Sequence, residues 1–148
     1  MTTFWRALIV LLLTAIPVFG QELPKEMLLQ CEGKMNAVLD GPRSESRASS
    51  FRLTLLLKDG SVTDTGTGVV EGTGCVLDRG EIKCELTRLY PLPNSVIKRF
   101  STVVLNRNTR ELTLWLESWD YQGEDASGTP TAHMRVLRTG VCRDNALF

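Results

Sequence analysis

The sequence lacks most of the groups that enzymes assemble into active sites. It has one histidine, His133, and four cysteines with no Cys-x-x-Cys or His-x-x-x-His spacing, so neither a zinc site nor a His-based relay is foreshadowed. There is no Gly-x-Ser-x-Gly nucleophile turn, and Gly66-Thr67-Gly68 is not followed by the third glycine and helical pattern of a dinucleotide fingerprint. No cofactor and no metal are therefore expected. Charge of one sign is also missing: 17 Lys and Arg balance 17 Asp and Glu over 148 residues, which removes the electrostatic basis for a nucleic-acid partner. Beyond residue 20 no apolar run approaches the roughly 20 residues of a transmembrane helix.

What is present is an export signal and a β pattern. Arg6 precedes an apolar run from Ala7 to Phe19, and Val18 and Gly20 are small residues three and one before Gln21. This is the layout of a secretory signal peptide cleaved after Gly20, leaving residues 21–148 as a single disulfide-bonded domain with a net charge of −1, since Arg6 leaves with it. Gln30 before Cys31 is too large for a lipid-attachment site, so no lipid anchor is expected. All four cysteines lie in the exported part, where an even count forecasts disulfides and a periplasmic or secreted location.

From Phe51 onward apolar residues alternate and turn residues recur at short intervals, the period of half-buried strands. Asp59-Gly60 and Arg79-Gly80 read as two-residue hairpin loops, pairing Lys58 with Ser61 and Asp78 with Glu81. The second register brings Cys75 opposite Cys84, and by exclusion Cys31 pairs with Cys142. Further strands are expected at about 85–90, 96–105, 111–121 and 131–139, with residues 64–70 continuing the strand from Ser61 and Pro91–Ser95 and Asn106–Arg110 as turns. Residues 26–39 fit either a helix or a strand; Gly33 and the reach to Cys142 favour the strand. The polar stretch 40–50 reads as a mobile loop. About eight strands joined by short turns predict an all-β antiparallel meander closing into a small barrel, with a two-sheet sandwich as the alternative.

One short motif resembles an enzyme family. Asp64-Thr65-Gly66-Thr67 is similar to the catalytic core of aspartic proteases, and implies a retropepsin-like subunit donating Asp64 to a shared carboxylate pair. The apolar strand such a loop should leave is absent before it, because Ser61-Val62-Thr63 follow a tight turn directly. A purely structural envelope protein is a further alternative.

The constellation that points to function lies on the strand 111–121. Trp115, Glu117, Trp119 and Tyr121 alternate with Leu112, Leu114 and Leu116, so one face is the core and the other carries flat aromatics and a carboxylate. With Asn108-Thr109-Arg110 as a three-residue loop, Arg99 falls opposite Trp119, and Lys98 opposite Asp120 as an ion pair. His133 and Arg135 join the aromatic face from the next strand. Aromatics interleaved with fixed charges are what a glycan, small ligand or protein partner uses for recognition. The sequence thus predicts a non-catalytic binding or inhibitory module with Trp115, Glu117, Trp119, Tyr121, Arg99, His133 and Arg135 as its contact residues. Whether this face is lumenal or external is not fixed by the pattern.

Overall fold

The computed structural model describes residues 22–68 and 70–144; the expected signal peptide lies outside the described residues. Eight antiparallel strands follow one another around a closed barrel, each paired with its neighbours in sequence and the last with the first. They are β1 (Glu26–Asp40), β2 (Glu45–Lys58), β3 (Ser61–Asp64), β4 (Glu71–Asp78), β5 (Glu81–Leu92), β6 (Ser95–Asn106), β7 (Glu111–Gln122) and β8 (Ala132–Asp144). The meander and the barrel are as the alternation predicted.

Two turns set the first registers. Asp59 and Gly60 have φ of 50° and 71°, and Arg79 and Gly80 have 48° and 84°, the doubly positive pattern of type I′ loops. Lys58 accordingly pairs with Ser61, and Asp78 with Glu81. A bulge between Thr73 and Val76, where Gly74 has φ +58°, bends β4 ahead of Cys75. Cys75 is joined to Cys84, and closure of β1 on β8 sets Cys31 directly opposite Cys142, to which it is also bonded. Both cystines are buried in the core, and their formation fits an oxidising compartment.

The side chains that point inward at one end of the barrel are almost all aliphatic. Leu29, Leu55, Ile82, Leu112 and Leu114 are among the fully buried ones, each contributing about 1.5–3 kcal/mol by leaving water. They fill the lumen there: the space enclosed by Leu29, Leu55, Leu57, Val62, Ile82, Cys84, Val103 and Leu105 is about 10 Å³, room for one water at most. Outward positions such as Glu32, Lys34, Arg52, Lys58, Lys83 and Glu85 are charged and exposed, the reverse of a lipid-facing strand. Among the described residues no helix is long and apolar enough to cross a membrane.

Several expectations are corrected. Residues 45–50 are strand rather than loop; only 41–44 turn, and Val38 pairs with Ser46 and Leu39 with Glu45. This rim of the barrel is solvated on both faces, so its strands need no apolar alternation. Residues 64–70 do not continue β3, which stops at Asp64, where the chain turns through Thr65–Gly68. Residues 85–90 belong to one long β5, and Pro91 and Leu92 remain in it. Residues 26–39 are strand, as favoured, and the ladder with β8 is what requires glycine at 33: a Cβ there would lie 2.1 Å from the Thr139 carbonyl oxygen and 2.5 Å from the Cα of Gly140, its partner.

The short β3 leaves the barrel split at one end. β2 pairs with β3 only over Leu55–Lys58, and β4 pairs with β5 only as far as Glu85. Beyond these points β2 (45–53) and β5 (87–92) have no second strand partner among the described residues. The lumen at this end is mixed, receiving Arg88, Arg99, Ser101, Ser118, Asp120 and Arg138 alongside Met35, Ala37, Met134 and Val136 by strict alternation from the aliphatic positions.

Candidate functional site

The β6–β7 connection decides which residues meet. Its loop has four residues, not three: the Asn106 carbonyl accepts from the Arg110 N–H at 2.8 Å, and the Asn106 carboxamide oxygen accepts from the N–H groups of Asn108 and Thr109, both at 3.0 Å. Arg110 takes φ +64° to close the turn. Leu105 therefore pairs with Leu112, Thr102 with Trp115, Phe100 with Glu117, Lys98 with Trp119 and Val96 with Tyr121. The register is one residue from that expected, which sends every β6 side chain to the other face. Val103 and Leu105, not Val104 and Phe100, join the core. Arg99, opposite Ser118, faces the lumen and is not part of the aromatic face. The expected Lys98–Asp120 ion pair does not form, because Lys98 is outside and Asp120 inside.

The other six residues are together on the outside of the barrel. On β7 the Trp115 indole Nε1 donates to Glu117 Oε1 at 2.9 Å, and Glu117 Oε2 lies 3.7 Å from His133 Nε2. That separation is an electrostatic contact rather than a hydrogen bond, so Nε2, though buried, has no hydrogen-bond partner. His133 pairs across the strand with Trp119, and the rings stack at 5.0 Å between centroids and 7° between planes. Arg135 pairs with Glu117 and donates from Nη2 to Asp40 Oδ2 at 2.7 Å. The Asp40 side chain, at the end of β1, completes the group; a lone acid ahead of Gly41-Pro42 gave no sequence signal of that role. Tyr121 stands over Val96, which is only 4% exposed.

The patch is thus half-buried and held by its own contacts. The His133 and Glu117 side chains keep 27% and 22% of their surface, so the Trp115–Glu117–His133–Trp119 array is rigid yet reachable from solvent. Phe100 and Leu137 flank it from β6 and β8, opposite Glu117 and Trp115. Among the described residues no three His, Cys, Asp or Glu side chains converge as metal ligands.

Asp64 is placed quite differently. It is 2% exposed, and its carboxylate accepts from the Gly66 N–H at 2.9 Å and from the Thr67 hydroxyl. The aspartate thereby closes its own turn at the base of the split, an Asx-type arrangement. It also faces Arg138, whose guanidinium burial pushes below its ordinary pKa while the Asp64 charge opposes that shift.

No family model matches this chain, and no curated protein or solved structure shows significant similarity to it.

Proposed function

We propose that this protein is an exported, non-catalytic binding module that recognises a protein partner through the outer face of β6–β8. The observation that carries this reading is the Trp119–His133 stack, locked beside Trp115, Glu117 and Arg135 on the outside of a barrel whose aliphatic half is filled. A small ligand needs a concave pocket, and the outer wall of a barrel is convex. A convex, rigid, half-exposed group of Trp, Tyr and Arg is what a protein interface uses as its anchor, with the rim charges Lys98 and Asp40 setting partner choice. An inhibitor of another exported protein is one form of such a module.

Site-specific photo-cross-linking in the native host tests this. A benzophenone amino acid replacing Tyr121 is expected to yield an adduct of one defined mass. The same probe at Thr63, outward-facing on β3 across the barrel, yields none. The adduct disappears when Trp115 and Trp119 are both changed to Ala in a protein that retains its β-sheet circular dichroism. Equal adducts from both positions, or none from Tyr121, would refute the proposal.

A further inference from the structure

Arg99 belongs to a second cluster, on the inner wall at the split end of the barrel. It pairs across the strand with Arg88, and both side chains face the lumen. Like charges set directly opposite each other repel, so such a pair requires neutralisation. Arg88 has it: its Nη1 donates to Glu71 Oε2 at 2.6 Å, and the Glu71 backbone is pinned by the Ser101 hydroxyl, which donates to its carbonyl at 2.5 Å. Arg99 does not. Its guanidinium lies 4.8 Å from the Tyr90 ring centre, but among the described residues nothing accepts a hydrogen bond from it, and its Nε is buried without a partner. Only this Nε–H is kept from water, and its missing acceptor costs free energy that the surrounding side chains do not return; the two Nη groups stay open to solvent.

The two arginines, Tyr90, Glu71, Leu86 and Ser101 line a shallow cleft of about 10 Å³, room for one water, so that a larger group can be held only across its mouth, where the Arg88 side chain is 54% exposed. It lies where β5 has passed the end of its ladder with β4 and the wall is open. The other acid in reach of this face, Asp120, pairs with Ile97, next along the inner face from the Arg99–Ser118 pair, and its Oδ1 is itself buried and unpartnered.

We infer that the mouth of this cleft binds an oxyanion, a carboxylate or phosphate group, held by the Arg99 Nη groups beside Arg88, with the Tyr90 ring beneath the Arg99 guanidinium. Planar guanidinium donors match two oxygens of such a group, and a charge-assisted pair of bonds from the two Nη groups would set a negative charge beside the two arginines. This site is independent of the outer face, since Arg99 and its outward neighbours Lys98 and Phe100 point to opposite sides of β6.

The experiment follows the Arg99 Nε–H resonance of the ¹⁵N-labelled protein at constant ionic strength during additions of inorganic phosphate, acetate or a poly-glutamate peptide, with chloride as the reference. A saturable shift of Arg99, absent from exposed Arg52, supports the site. Saturation by phosphate or acetate identifies a free small anion as sufficient, and saturation by poly-glutamate alone identifies a group carried on a chain. R99Q weakens the response, read at Arg88, by about tenfold or more, the loss of one charged hydrogen-bonded contact, and R52Q leaves it unchanged. No saturable shift with any of the three refutes the inference. So does an Arg99 resonance that moves on D120N but not with any anion, because Asp120 would then be its acceptor.

Discussion

Removing each disulfide separately tests how the barrel is held shut. The Cys31–Cys142 bond spans 111 residues and Cys75–Cys84 spans 9, so loop-closure entropy assigns about 4.8 kcal/mol to the first and about 2.6 kcal/mol to the second. Alanine at both members of a pair is the appropriate change, because a serine hydroxyl at these buried positions adds its own desolvation cost. Each variant removes two buried sulfurs, so the packing losses largely cancel in the comparison and a difference of about 2 kcal/mol remains. With unfolding entropy of about 2 cal/mol/K per residue, the midpoints fall by about 18 °C and about 10 °C. Urea unfolding of the oxidised chain from Gln21 gives the free energies directly, and the slope of ΔG against urea should steepen more for C31A/C142A, whose unfolded state expands further. Equal losses in the two variants, or the larger loss from C75A/C84A, would refute the reasoning: the long staple would then be redundant with the twelve-pair β1–β8 ladder it crosses.

Three further outcomes are expected. G33A places a methyl group against the Thr139 carbonyl and Gly140, backbone that cannot swing aside, and should lower the thermal midpoint more than L114A, which costs about 2–5 kcal/mol by leaving a cavity; differential scanning calorimetry of both variants checks the order. Asp64→Asn keeps an acceptor for the Gly66 N–H but loses the charge facing Arg138, so urea unfolding should show a loss of about 1–3 kcal/mol, greater than for Asp78→Asn in an exposed turn. In the chain from Gln21, iodide should quench part of the tryptophan emission, as both half-exposed indoles are external; fully protected emission would contradict their placement.

The sequence was most legible where loop chemistry left no choice. Asp59-Gly60 and Arg79-Gly80 are two-residue loops, so registers, faces and the Cys75–Cys84 bond all follow from counting outward. The β6–β7 loop offered no such fixed count: three or four residues both join the strands, and one residue inverts β6. The missing signal was Asn106, whose carboxamide takes two loop N–H groups and so marks a four-residue turn. Within β7 the division into Leu and Trp faces needed no partner and was correct, which is why Trp115, Glu117, Trp119, Tyr121, His133 and Arg135 stay together while Arg99 leaves. The segment 40–50 was illegible for another reason: strand propensity is read through burial, and a rim strand has little.

The inversion of β6 also separates the two proposed sites. Lys98 and Phe100 lie on the outer face while Arg99 and Ser101 line the cleft, so neighbouring residues of one strand stand on opposite sides of a wall one residue thick. The ladder bonds of β6 to β5 and β7 are complete through this stretch, and a strand paired on both edges does not rotate to trade faces. Occupation of one site therefore leaves the other unchanged. R99Q should not alter cross-linking from Tyr121, and W115A/W119A should leave the phosphate response of Arg99 within twofold of the parent, because no side chain is shared between them. A cross-linking yield that rises or falls with phosphate in the parent but not in R99Q would contradict this, and would mean that the split end of the barrel transmits strain across β6.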